Sequence, residues 1–159
     1  MARDILIVDD ESDIRLLMAG ILSDEGYETR EAADSTSALE AIRSRRPSLV
    51  ILDIWLHDSP LDGMEILKVI RREHPSVPVV MISGHGNIET AVAAIKLGAY
   101  DFIEKPFKAD RLLLVVERAI EAARLKRENE ELRLRAGGEV ELVGTSSVIN
   151  QLRHAIDRV

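Results

Sequence analysis

Three short runs constrain the fold more than any other feature. Ile5–Val8 (ILIV), Leu49–Leu52 (LVIL) and Val79–Ile82 (VVMI) are continuous, apolar and largely β-branched. A strand with one wet face alternates apolar and polar residues, so an unbroken run of this length predicts a strand covered on both faces. Tyr27–Glu31 and Tyr100–Glu104 are weaker and fit strands at the edges of the same sheet. Between the runs lie helix-period stripes: Ile14, Leu17, Met18, Ile21 and Leu22; then Ile66, Leu67 and Ile70; then Ile88, Ala91, Val92 and Ile95. Ser12, Ser35 and Asn87 stand where N-caps belong, and Gly26 and Gly98 stand just past helix ends. Five strand–helix units in series predict an α/β fold with a parallel sheet and helices on both faces.

After Pro106 a fifth helix is expected from about Ala109, with Leu112–Val116 and Ile120 as its docking face. It continues into the charge-rich stretch from Glu117 to Arg135, and Gly137–Gly138 is expected to end it. In that stretch Val115, Ala122, Leu125, Asn129, Leu132 and Ala136 approach a coiled-coil repeat, interrupted by Arg118. A paired helix is one reading and a solvated linker the other. Residues 1–122 are thus expected to form one domain, 123–138 a helical linker, and 139–159, with the single stripe Ile149, Leu152 and Ile156, the first piece of a truncated further domain.

The strand ends carry the chemistry. Ligands of an open parallel sheet bind beyond the carboxyl ends of its strands. There the chain places Asp9 and Asp10, Asp53, Ser83, and Lys105 followed by Pro106. Each alone has an ordinary structural explanation. Three carboxylates converging without a cation would repel and raise one another's pKa, so the set points to a small hard dication, Mg²⁺, which keeps waters and completes its shell with phosphate oxygens. Lys105 and Ser83 then serve phosphate oxygens as ammonium and hydroxyl donor. The 159 residues include no Cys, which excludes thiol catalysis and disulfides. A carboxylate nucleophile remains, with aspartyl phosphate as its product, and Asp53 on the central strand is the best candidate. The net charge of −7 argues against a domain that coats nucleic acid or an anionic membrane, and no apolar run is long enough for a membrane span.

VDDE at 8–11, LDIWL at 52–56, ISG at 82–84 and EKPF at 104–107, in this order, resemble the receiver domain of bacterial two-component response regulators. The resemblance implies a flavodoxin-like three-layer (βα)5 fold with sheet order 2-1-3-4-5 and an extended last helix. It implies phosphorylation of Asp53 by a sensor histidine kinase, and Mg²⁺ bound by Asp9, Asp10, Asp53 and the backbone carbonyl of Trp55. It further implies Ser83, Lys105 and Phe102 as the switch and phosphate-binding set, and a cis bond before Pro106. The change is expected on the face of the fourth helix, fifth strand and fifth helix, and a homodimer would form through that face, the linker helix or both. More narrowly the chain resembles the NtrC and NtrX nitrogen-regulation regulators, and NtrX more, because the loop from Asp53 to Gly63 is two residues longer than usual. The tail ELVGTSSVINQLRHAIDRV resembles the opening of a σ54-activator AAA+ domain. The whole regulator would then be a cytoplasmic transcription factor that binds ATP, DNA and σ54 RNA polymerase, and this part a regulatory domain rather than an enzyme. Trp55 and His85, each two residues past a site residue, are expected to overhang the phosphoryl group; Trp55 either shields it from water and lengthens its lifetime or packs on the long loop, and His85 either positions a water or is inert. The other readings weighed are an Asp-nucleophile phosphatase or phosphotransferase, which would need a second acid and a cap, and a dimerisation module that works without phosphorylation.

Overall fold

The computed structural model describes residues 3–84 and 88–143, with side chains through residue 132. Five strands alternate with five helices: β1 (Asp4–Val8), α1 (Ser12–Asp24), β2 (Glu28–Ala32), α2 (Ser35–Ser44), β3 (Leu49–Asp53), α3 (Gly63–Glu73), β4 (Val79–Ser83), α4 (Ile88–Lys96), β5 (Asp101–Glu104) and α5 (Ala109–Val143). The strands form one parallel sheet in the order β2-β1-β3-β4-β5. Every residue of β1, β3 and β4 is buried, because apolar side chains leave both faces of the sheet. On one face Leu6, Val8, Val50, Leu52 and Met81 pack against Ala38, Ile42, Ile66 and Ile70 of α2 and α3. On the other, Ile5, Ile7, Ile51, Val80 and Ile82 pack against Met18 and Leu22 of α1 and Leu112, Val116 and Ala119 of α5. Each of the Leu, Ile, Val and Met side chains contributes about 1.5–3 kcal/mol by leaving water.

The helix starts differ from the sequence expectation. The residue before α1 is Glu11, which makes no side-chain cap, and α2 is capped by Asp34, whose Oδ1 accepts from the Ser37 N–H at 2.9 Å. Ser12 and Ser35 each lie one residue inside their helices. In α3 Asp62 and Glu65 form a reciprocal capping box. The Asn87 expectation falls outside the described residues. Gly26 and Gly98 do follow helix ends with φ of +93° and +111°, conformations open to Gly without a Cβ penalty.

Two stripes turn out differently as well. In α4 the buried residue is Ala94, whereas Ile88, Val92 and Ile95 are exposed. This helix is apolar on most sides, so spacing does not select a face, and the small Ala94 admits the closest approach to the sheet. In α1 Leu17 is exposed beside Leu16 while Met18, Ala19 and Leu22 face inward.

Two compact units are distinguished, Met1–Ala123 and Arg124–Val159. The second, as described, is the continuation of α5, in which Leu125 and Leu132 are exposed and Arg124 pairs with Glu128 at 2.7 Å. Gly137–Gly138 does not end α5, which reaches Val143. Two glycines cost a helix about 1 kcal/mol each but remove no backbone donor, so they weaken it without stopping it. Val115 is buried in the sheet-facing core and so does not belong to a seam with Leu125 and Leu132. Of the tail expected to open a further domain, residues 144–159 lie outside the described residues.

Candidate functional site

Parallel pairing brings the strand ends to one rim. Val8 is opposite Leu52, and Asp53 is opposite Ile82, so Asp9 leaves β1 beside Asp53 at the end of β3. The ladders continue one residue further, with Asp9 N–H donating to the Ala32 carbonyl at 3.1 Å and Lys105 N–H donating to the Ser83 carbonyl at 2.9 Å. Those bonds fix the backbone of the residues whose side chains meet above. The site therefore inherits its precision from the sheet.

Asp9, Asp10 and Asp53 each offer a carboxylate oxygen within 4.8 Å of the others. Asp9 is fully buried, and its Oδ1 accepts from the Glu11 N–H at 2.9 Å. Asp53 Oδ1 accepts from the Trp55 N–H at 3.2 Å, and Asp10 Oδ2 accepts from the His57 N–H at 3.1 Å. The Lys105 ammonium stands among them, 3.0 Å from Asp9 Oδ2, 3.0 Å from Glu11 Oε1 and 3.6 Å from Asp53 Oδ2. It follows Ser83 across the β4–β5 pair, and its bond to Pro106 is cis. Ser83 is fully buried at the end of β4, and Phe102 is half-buried in β5 against the α2–α3 face. An open cavity of about 390 Å³ lies over this rim, lined by Asp10, Asp53, Trp55, His57 and Lys105 among others.

The electrostatics are those of a charge-rich site short of cations. Burial, then the neighbouring Asp9 charge, pushes Asp53 from 3.8 up to about 7, with Lys105 and the Trp55 amide pulling the other way. Burial likewise raises Asp9, against the Glu11 amide and Lys105. For Lys105 burial favours the neutral amine, yet Asp9, Glu11 and Asp53 outweigh it and the ammonium is held above its usual range. One oxygen is informative. Asp9 Oδ2 is buried and, although 3.0 Å from the ammonium, makes no directed hydrogen bond. A buried carboxylate oxygen with an open lone pair, beside two further carboxylates, fits a hard, oxygen-seeking dication such as Mg²⁺.

Thus the structure brings together Asp9, Asp10, Asp53, Trp55 and Lys105, with Ser83 and Phe102 on the adjoining strands. His85 lies outside the described residues. Two residues join the site that sequence patterning does not single out: Glu11, second partner of the ammonium, and Arg15, whose Nη1 donates to the Asp9 carbonyl at 2.6 Å. In the sequence Glu11 is visible only as the last letter of VDDE. Gly63 marks only a loop end there, but a Cβ on it would strike the Asp53 carbonyl oxygen and Ile54 Cα, so α3 rests directly on the backbone at the end of β3.

Comparison with known proteins gives the same picture from another side. The family model described as the response regulator receiver domain matches residues 5–117. The nitrogen assimilation regulatory protein NtrX of Azorhizobium caulinodans is 65% identical over 159 residues, covering 100% of this chain and 35% of that protein. The crystal structure of the receiver domain of NtrX from Brucella abortus has a TM-score of 0.73 and 71% identity, covering 74% of this chain and 98% of that one. The solution structure of a beryllofluoride-activated NtrC4 receiver domain dimer has a TM-score of 0.71 and 38% identity, covering 76% and 98%. The chain spans about a third of the length of the curated relatives it matches.

Proposed function

Since the chain belongs to the response regulator receiver domain family, and within it is of the NtrX/NtrC type, we propose that Asp53 accepts a phosphoryl group from a sensor kinase phosphohistidine. The observation that carries this is the trio of carboxylates within 4.8 Å, one with an open buried oxygen, two of them, Asp9 and Asp53, beside the Lys105 ammonium. Asp9, Asp10, Asp53 and the Trp55 carbonyl are the groups that would hold Mg²⁺. When bound, the ion offsets the negative charge of the phosphoryl oxygens.

The chain's own residues then perform the transfer by position and charge. A carboxylate oxygen of Asp53, ionised and fixed through its partner oxygen by the Trp55 N–H, attacks phosphorus. The O–P bond forms as the P–N bond breaks, and the electron pair stays on the kinase imidazole, which takes up a proton. Lys105, 3.6 Å from Asp53 Oδ2, would meet a phosphoryl oxygen. Ser83, at the end of β4, would donate to another, and Phe102 would turn into the space it leaves. Exposed Leu16 and Leu17 on α1, just below the acidic rim, support docking of the kinase on that side.

The consequence reaches α4, β5 and α5. Ile88, Val92, Ile95 and Tyr100 are exposed on this face, which supports its use in a homodimer. Leu125 and Leu132, seven residues apart and exposed, support a paired linker. In the whole regulator the phosphorylated domain would control a σ54-dependent activator that binds ATP and DNA. No helix among the described residues is long and apolar enough to cross a membrane, and a cytoplasmic location accords with this role.

Incubation with acetyl phosphate, with Mg²⁺ or with EDTA, tests the assignment. Mass spectrometry should find one phosphoryl group on the protein only with Mg²⁺, and none on Asp53→Asn. Equal labelling of that variant would remove Asp53 from its role.

A further inference from the structure

The long loop between β3 and α3 is tied down at both ends of its course. Past Trp55, the His57 N–H donates to Asp10 Oδ2 at 3.1 Å. Asp58 then takes a φ of +54°, a left-handed conformation that Asp tolerates better than most residues. Beyond it the loop closes a ring with the first residue of α2. The Ser35 N–H donates to Ser59 Oγ at 2.8 Å, the Ser59 hydroxyl donates to the Leu61 carbonyl at 2.7 Å, and the Leu61 N–H donates to Ser35 Oγ at 3.1 Å. Ser35 is 2% exposed and Ser59 and Leu61 are half-buried, so the ring reaches from the surface inward to a buried hydroxyl, where a satisfied group locks a backbone and an unsatisfied one costs about 1–3 kcal/mol. Leu56, buried between His57 and the acceptor, pins the intervening turn.

We propose that Ser59 and Ser35 are positioning residues for the cation site, holding the loop so that the His57 amide fixes the carboxylate of Asp10. Asp10 needs such help more than its neighbours. Asp9 is fully buried and Asp53 nearly so, and both are walled in by the sheet. Asp10 is half-buried, next to two carboxylates that repel it toward solvent. A single N–H donor on Oδ2 opposes that swing. The loop extension thereby spans from the N-terminus of α2 to the rim and converts a serine pair into the orientation of a ligand.

The inference rests on the reading that Asp9, Asp10 and Asp53 hold a divalent cation, and the experiment separates the two. Mg²⁺ is titrated into the 159-residue chain with Trp55 as reporter, the only Trp in the sequence and 45% exposed at the rim. Ser59→Ala is expected to weaken Mg²⁺ binding about tenfold, the lower end for residues that orient a ligand. Ser59→Thr, which keeps the hydroxyl, should restore it. Ser35→Ala, which removes the other half of the ring, should weaken binding in the same direction. Asp10→Asn should weaken it at least as much as either. If Ser59→Ala and Ser35→Ala lower only the thermal midpoint and bind Mg²⁺ as the parent does, while Asp10→Asn does not, the serines are structural and the proposal is overturned. If Asp10→Asn also binds as the parent does, the cation reading itself fails and takes the proposal with it.

Discussion

Replacing Asp53 by Asn, with divalent ions chelated, should make the protein more stable at pH 8 and leave it nearly unchanged at pH 4. Asp53 ionises at about 7 in the folded protein instead of 3.8. Between those values the folded state keeps a proton that the unfolded chain has released. Stability therefore falls as pH rises from about 4 to about 7 and is level above that, the reverse of a salt-bridged carboxylate. At roughly 1.4 kcal/mol per pH unit the gap is worth about 4 kcal/mol. The side chain is 5% exposed, so water screens little of this. Asn has the same shape without the charge, and the gain should appear as roughly 10 °C or more in thermal midpoint at pH 8. Asp9, also raised, leaves a smaller slope in the variant. Thermal unfolding followed by circular dichroism at pH 4 to 8 in EDTA provides the comparison. Mg²⁺ at ten times its dissociation constant should return about 1.4 kcal/mol to the parent at pH 8 by binding only the folded state. Parallel stability curves for parent and variant over this range would refute the reasoning, since the penalty on charging Asp53, from burial first and the Asp9 charge second, would then be absent.

Lys105→Met removes the cation that lies 3.0 Å from Asp9 and Glu11. Stability should fall by about 3 kcal/mol at pH 8 and by much less at pH 4, as urea midpoints at the two pH values will tell, and acetyl phosphate should no longer label the protein. Gly63→Ala places a Cβ against the backbone of Asp53 and Ile54, so a loss of about 1–3 kcal/mol is expected together with slower phosphorylation; an unchanged thermal midpoint would mean that α3 can step away freely. Trp55→Ala takes a half-exposed indole from the cavity rim. Water should then reach the phosphoryl group more easily and its decay, followed by phosphate release, should quicken about fivefold, or about 1 kcal/mol in barrier. An unchanged rate would assign Trp55 to loop packing alone.

The order of strands and helices was legible in the chain because local rules produce it. ILIV, LVIL and VVMI admit no wet face, so β1, β3 and β4 had to be central, and the residues ending them had to share a rim. That Asp53, the acidic pair and Lys105 form one cluster could be expected from that, since charge of one sign at one place requires a counter-charge wherever the chain runs. Helix caps were less legible. Asp34 rather than Ser35 caps α2 because adjacent polar residues compete for one N–H, and only geometry decides between them. The exposed side of α4, the burial of Val115, and the passage of α5 through Gly137–Gly138 were likewise settled by packing or by small backbone differences that spacing does not encode.

What the sequence determined by itself is the kind of groups and the strand ends on which they sit, because side-chain chemistry and periodicity are properties of neighbours along the chain. What the tertiary structure decided is the partnering: Glu11 with Lys105, Arg15 with the Asp9 carbonyl, and Ser35 with Ser59. Those contacts join residues from 6 to 94 positions apart. Their bond energies depend on tenths of an ångström and on angle, and only the packed sheet and helices supply distances that fine.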